Sequence, residues 1–231
     1  MRIYDIFSNN AKHFSQYTVQ NSLPKRVTAC LFIRNFAKSF AKSMDIQKTL
    51  QHTVDVLQSG GVVIYPTDTI WGLGCDATNA EAIRKLCGIK RRDPHKSMLI
   101  LCSDFEQVAQ YVADFDSKVV DYISRWKTPT TVVYPKAKNL PQSLLAPDGS
   151  IGIRVPKSEF CKSLIEKFGK PIVSTSANFA GEEPPRYYYN IDAWLIAQVD
   201  FMVPVECCDS RYHKSSRIVK KNENGEFVVI R

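Results

Sequence analysis

The 231-residue chain is 44% apolar and 23% charged, the balance of one medium globular domain rather than of a disordered or fibrous chain. No apolar run reaches the ~20 residues of a membrane span, and no hydrophobic stretch with a small-residue cleavage site marks secretion, so a cytoplasmic protein with no membrane attachment is expected. Seven cysteines without a C-x-x-C pair support neither a zinc site nor a disulfide framework and read as reduced core residues.

The formal net charge of +8 is unevenly spread. Residues 1–43 hold seven Lys or Arg (Arg2, Lys12, Lys25, Arg26, Arg34, Lys38, Lys42) against Asp5, which leaves 24 basic and 22 acidic residues, or +2, for the rest. This segment has few acids, several Ser and Asn, and Leu31, Phe36 and Phe40 at roughly helical spacing, features shared with organelle transit peptides. A disordered, dispensable basic arm, or sequence upstream of a start at Met44, is the preferred reading. Residues 44–231 are then the folded domain.

Ile46, Leu50, Val54 and Leu57 recur at helical spacing, and Ser59-Gly60-Gly61 closes that helix. Val62 to Tyr65 is a β-branched and aromatic run ended by Pro66, which suits a strand buried on both faces. Thr67, Asp68 and Thr69 then place hydroxyls and a carboxylate at the rim of the sheet, where open α/β folds hold their ligands. Gly72-x-Gly74-x-x-Ala77 imitates a dinucleotide fingerprint, but five residues separate it from Pro66, whereas the fingerprint turns directly from strand into helix. There is no Walker A pattern. Asn79 caps a helix whose Ile83, Leu86 and Cys87 share one face and which ends near Lys90. Its last turn and the following loop are basic, with Lys90, Arg91, Arg92, His95 and Lys96 against Asp93. Met98 to Leu101 is another buried strand, and the strand, helix, strand order predicts a parallel pair with a right-handed crossover.

Asp104 with Gln107 starts a helix through Tyr111, and a further helix spans Asp116 to Arg125. Thr130 to Tyr134 and Ile151 to Val155 are strands, and a helix from Ser158 to Phe168 leads to a strand at Pro171 to Val173. A second polar cluster, Ser174-Thr175-Ser176-Ala177-Asn178, follows. Beyond a Pro- and Tyr-rich loop from Glu182 to Tyr189, a short helix covers Ile191 to Ala197. Strands at Ser216 to Val219 and Phe227 to Ile230 flank Asn222-Glu223-Asn224-Gly225 as a hairpin, which makes the sheet mixed.

Two buried strands, ending at Pro66 and Val173, thus each deliver a row of hydroxyls. Between them in sequence lie the basic loop and Arg154, set inside Ile151-Gly152-Ile153-Arg154-Val155. An arginine in such a strand needs an anionic partner. A carboxylate or phosphate ligand and an internal Asp or Glu serve equally well, and the residues alone leave that choice open. The same holds for Ser174, Thr175, Ser176 and Asn178, as helix caps or ligand donors, and for the basic cluster, which can simply complement a helix dipole.

Pro66-Thr67-Asp68-Thr69, Trp71-Gly72-Leu73-Gly74, Lys90-x-Arg92 and Ser176-x-Asn178, four separated motifs in this order, together closely resemble the YrdC/Sua5 family over about Ile46 to Arg231. The resemblance implies an α/β, YrdC-like fold: a twisted mixed sheet, parallel and antiparallel, flanked by helices, in a single domain with an open concave substrate cleft. It also implies the short form of the family and the activity of an ATP-dependent L-threonylcarbamoyladenylate synthase. There the amine of L-threonine takes up bicarbonate, the carbamate oxygen attacks the α-phosphate of ATP, and pyrophosphate leaves. The product, threonylcarbamoyl-AMP, passes to a separate tRNA threonylcarbamoyl-transferase complex in threonylcarbamoyladenosine biosynthesis. Mg2+ is implied with ATP, held mainly by the phosphates rather than by a protein metal site.

Carried over by position, the resemblance implies that Lys90, Arg92 and Lys96 contact the ATP phosphates and that Thr69, Arg154 and Ser216 hold L-threonine, Arg154 by its carboxylate. Ser174, Ser176 and Asn178 would lie against the nucleotide and the reacting carbamoyl group, with Arg231 completing the ATP pocket. Lys90, Arg92, Ser176 and Asn178 would form the catalytic set. Such chemistry needs positioning and charge neutralisation more than proton transfer. The chain departs from the family at Lys127-Thr128-Pro129, Leu101 and Arg186. A non-catalytic RNA-binding module of the same fold, with a weak tRNA contact, is the alternative; the +2 of residues 44–231 and the lack of aromatics within the basic cluster count against it. A carbamoyltransferase of the hydrogenase-maturation type would be longer and carry zinc-finger-like cysteines.

Overall fold

The computed structural model describes residues 45–93, 96, 98–208, 214–222, 224 and 226–231. The expectations for residues 1–43, for His95 and for the turn positions Glu223 and Gly225 lie outside them.

Helix α1 (45–58) runs into β1 (Val63–Tyr65), whose three residues are buried on both faces. Strand β2 (Gly72–Gly74) follows, and then α2 (Ala80–Lys90), capped by the Asn79 side chain, which accepts from the amides of Glu81 and Ala82. Next come β3 (Leu99–Leu101), α3 (Phe105–Tyr111), α4 (Lys118–Ser124) and β4 (Thr130–Tyr134). Strand β5 (Ile151–Arg154), α5 (Glu159–Phe168) and β6 (Ile172–Ser176) follow. The short α6 (Ala193–Ile196), β7 (Phe201–Met202), β8 (Arg217–Lys221) and β9 (Phe227–Val229) complete the described chain.

The strands form one mixed sheet in the order β7-β1-β2-β6-β3-β5-β4-β8-β9. The parallel crossover expected between the first two apolar strands is not formed. Strand β1 is antiparallel to β2, β2 to β6 and β6 to β3, so β1 and β3 run in opposite directions with two strands between them. The cause is β2, a glycine strand that propensity argues against. The ring of Tyr65 lies across it: a Cβ on Gly74 would stand 2.7 Å from Tyr65 Cε1 and 2.5 Å from the Val173 carbonyl. Only a residue without a side chain lets β2 pass. Strand β6 is also longer than expected, so Ser174 and Ser176 belong to the strand itself rather than to a loop after it.

Alternation across the strands divides the two faces of the sheet. Ile64, Leu73, Val173, Ile100, Ile153 and Val132 point to one face and pack under α2, α3, α4 and α6 in a single apolar cluster. Their neighbours point to the other face. There Val63, Tyr65, Ile172 and Leu101 are covered by Leu50, Val54 and Leu57 of α1 and by Phe160, Leu164 and Ile165 of α5. No helix among the described residues covers the remainder of that face, and it forms the wall of a cleft.

Candidate active site

The cleft is floored by alternate residues of five strands: Gly72 of β2, Ser174 and Ser176 of β6, Leu99 of β3, Gly152 and Arg154 of β5, and Thr131 and Val133 of β4. Its empty volume is about 1140 Å³, open solvent at its mouth included. The 66–71 loop supplies Thr69, the turn after α2 supplies Arg92, and the β8–β9 side supplies Ser216 and Arg231. Among the described residues the lining holds three guanidinium groups and many hydroxyls but no Asp or Glu side chain. Such a surface selects a polyanionic ligand.

Arg154 is the most deeply placed of the three. Its Nη2 lies 3.3 Å from Asp68 Oδ1, both side chains being almost sealed from solvent, while Asp68 Oδ2 accepts from the amide of Lys157 at 3.0 Å. Of the two partners that the sequence allows, an internal acid is therefore present. It does not exhaust the arginine, because Arg154 Nε is buried without a hydrogen-bond partner. A buried cationic N–H without a partner is costly, and Arg154 lines the cleft in which an anion would offset its charge.

Thr69 lines the same cleft. The Thr67 hydroxyl donates to the Ile70 carbonyl at 2.7 Å and accepts from the Thr69 amide at 3.0 Å. The 2.9 Å contact between the two threonine hydroxyls must then use the proton of Thr69. Thr69 Oγ1 is left as an acceptor, suited to an ammonium or amine. At the far wall Ser216 Oγ and Thr131 Oγ1 stand 2.8 Å apart, and Arg231 Nη2 donates to the Ser216 carbonyl at 3.3 Å.

Of the residues expected in the site, Thr69, Arg92, Arg154, Ser174, Ser176, Ser216 and Arg231 come together around the cleft. Lys90, Lys96 and Asn178 do not line it. Lys96 is exposed, and its carbonyl accepts from Arg92 Nε at 3.4 Å. Lys90 is buried, its Nζ donating to the carbonyls of Ser176 at 2.6 Å and Asn178 at 2.8 Å. Burial, with Arg92 nearby, lowers its pKa to about 8. Asn178 Nδ2 donates to the carbonyls of Phe179 and Glu182, each at 2.8 Å. Thr131, Ser150 and Gly152 line the cleft without having been singled out. Alternation along β4 and β5 is the signal that identifies them. The departures at Leu101, Lys127 and Arg186 all fall outside the lining: Leu101 is in the apolar layer under α1 and α5, and the other two are exposed.

The family model for Sua5, YciO and YrdC, described as "Telomere recombination", matches residues 55–231. A threonylcarbamoyl-AMP synthase of Pseudoalteromonas translucida (strain TAC 125) is 37% identical over 142 residues, 60% of this chain and 76% of that protein. The structure of P. abyssi Sua5 complexed with L-threonine superposes with a TM-score of 0.70 at 22% identity over 79% of this chain and 53% of that one. E. coli YciO does so at 0.66 and 25% identity, over 80% and 89%. The chain spans about half the length of the Sua5 structure.

Proposed function

Since the chain belongs to the Sua5/YciO/YrdC family, we propose that it is an L-threonylcarbamoyladenylate synthase, converting L-threonine, bicarbonate and ATP to threonylcarbamoyl-AMP and pyrophosphate. The observation that carries this reading is the buried Arg154, with Nε unpartnered, at the floor of a cleft whose lining among the described residues has two further arginines and no acidic side chain. The relative named threonylcarbamoyl-AMP synthase and the Sua5 structure solved with L-threonine support it.

Arg154 takes the threonine carboxylate, and Thr69 Oγ1 accepts from the amine. This holds the nucleophile at one end of the cleft. The amine adds to bicarbonate, water leaves, and a carbamate forms. A carbamate oxygen then attacks the α-phosphorus as the bond to the bridging oxygen breaks and its electron pair departs with pyrophosphate. Arg92 and Arg231 flank the phosphates and offset the charge that accumulates on the leaving group. Ser174, Ser176 and, from the far wall, Ser216 supply hydroxyl donors. Mg2+ enters with ATP: among the described residues the lining offers hydroxyls and no Asp or Glu side chain, and no group of three or more His, Cys, Asp or Glu could hold a metal. Bound to the phosphates it would supply further charge neutralisation.

The product is a mixed anhydride, which must pass to an acceptor amine before water reaches it. A tRNA threonylcarbamoyl-transferase complex in the cytoplasm is the consumer we infer, with at most a weak tRNA contact on this chain. No helix among the described residues is long and apolar enough to cross a membrane. A surface that only bound RNA would gain nothing from Arg154, which lies too deep to reach a nucleic-acid backbone. The test is pyrophosphate release from ATP by the purified protein with and without L-threonine and bicarbonate. Release that needs both supports the synthase; release indifferent to threonine in folded protein overturns it.

A further inference from the structure

The C-terminus of α2 and the turn after β6 hold each other at four points. Lys90 Nζ donates to the carbonyls of Ser176 and Asn178, while the Lys90 carbonyl accepts from the amide of Ala180 at 2.9 Å. One residue later, the Arg91 guanidinium lies 4.4 Å from the centre of the Phe179 ring. Arg91 is in the left-handed region, with φ 53, as the cap of α2, a conformation that a non-glycine residue adopts only when its surroundings hold it there. Immediately beyond it, Arg92 enters the cleft, and immediately before the turn Ser174 and Ser176 enter the same cleft from β6.

An ammonium has three protons and no lone pair. Two of those of Lys90 go to main-chain carbonyls at short distance. The remaining contacts, to Ser176 Oγ and Asn178 Oδ1, are both 3.4 Å and lie on the same turn. Nothing in this geometry reserves a proton for a phosphate, and Lys90 is absent from the lining. We infer that Lys90 is a positioning residue: its ammonium clasps the 176–180 turn to the end of α2 and so fixes the arginine wall of the cleft, Arg92, at a set distance from the hydroxyl wall, Ser174 and Ser176. It acts through those groups rather than on the nucleotide.

Hydrogen–deuterium exchange on the ligand-free protein, read at the amides of Asn178 and Ala180, tests this without any substrate. Loss of a charge-assisted hydrogen bond at a local clasp should speed exchange there by about tenfold or more. That is expected in Lys90→Met, with helix α5 unchanged, and not in Arg92→Ala. The kinetic arm rests on the synthase reading: Lys90→Met should lose kcat with little change in KM for ATP, and Lys90→Arg should not rescue it, because the guanidinium is longer and broader than the buried ammonium seated 2.6 and 2.8 Å from its two carbonyls. Unchanged exchange in Lys90→Met together with a raised KM for ATP would overturn the inference, as would rescue by arginine. If Lys90→Met does not fold, Lys90→Arg replaces it in the exchange measurement, and full protection of Asn178 and Ala180 in that variant overturns the clasp. Because the exchange arm needs no activity, failure of the clasp and failure of the synthase assignment are separable.

Discussion

Arg154 and Asp68 face one another 3.3 Å apart in a region almost closed to water, yet the pair is incomplete: Asp68 Oδ1 and Arg154 Nε each lack a hydrogen bond. A buried pair of this kind is poor evidence of stability but expensive to break from one side. Arg154→Met should therefore cost about 3–5 kcal/mol by leaving the aspartate uncompensated, read as a lower denaturant midpoint. Asp68→Asn combined with Arg154→Met should recover most of that stability and none of the threonine-dependent pyrophosphate release.

Gly74 is squeezed between the Val173 carbonyl and the Tyr65 ring. Gly74→Ala should destabilise the fold by about 1–3 kcal/mol, the usual cost of forcing an extra methyl into a packed site, measured by urea unfolding. Gly88, which has open space around its Cβ position and sits inside α2, should instead tolerate alanine and gain about 0.5–1 kcal/mol from helix propensity.

These two glycines also show where reading the sequence reached its limit. The capped helices were legible from Asn79, Asp104 and Ser158, because caps are local chemistry, and Thr130–Tyr134 coincides with β4. Strand β2 was not legible, since its residues form a strand only because the Tyr65 ring on the adjoining strand β1 and the Val173 carbonyl on β6 leave no room for side chains there. Arg154 announced itself by being a charge in an apolar strand, but its partner at Asp68 is 86 positions away and could not be chosen in advance. Thr131 was hidden for a different reason: a threonine in a β-branched strand looks like scaffold until the face it points to is known. Lys90 was visible as a residue of interest, but its carbonyl partners at Ser176 and Asn178 were not.

The activity should decline as pH rises past about 8. Burial lowers the Lys90 pKa to about that value, assisted by Arg92 and opposed by Glu182. The folded pKa lies below the ordinary 10.5, so between these values the unfolded chain binds the extra proton more readily. This group's contribution to stability accordingly rises with pH across that window. A pH–rate profile that falls near 8, with a denaturation midpoint that does not fall through Lys90, is the expected pair of results; Lys90→Met should lack the inflection.

Asn79 accepts from two amides at the start of α2, and its replacement by alanine should cost about 1 kcal/mol. Thermal unfolding measures that loss. With the synthase assay run well below the transition, kcat should stay close to that of the unaltered protein, because the Arg92 end of the helix is anchored separately.

The alternation along β4 and β5 sorts this protein's positions by parity. Val132, Ile151 and Ile153 answer to the apolar cluster, while Thr131, Val133, Gly152 and Arg154 answer to whatever occupies the cleft. Neighbouring codons thus serve separate selective pressures, and a lineage can retune its ligand without disturbing its interior. The same arrangement makes the reading frame of each strand unforgiving. One inserted residue in β5 would carry Arg154 into the apolar layer and an isoleucine into the cleft, erasing both assignments at a stroke.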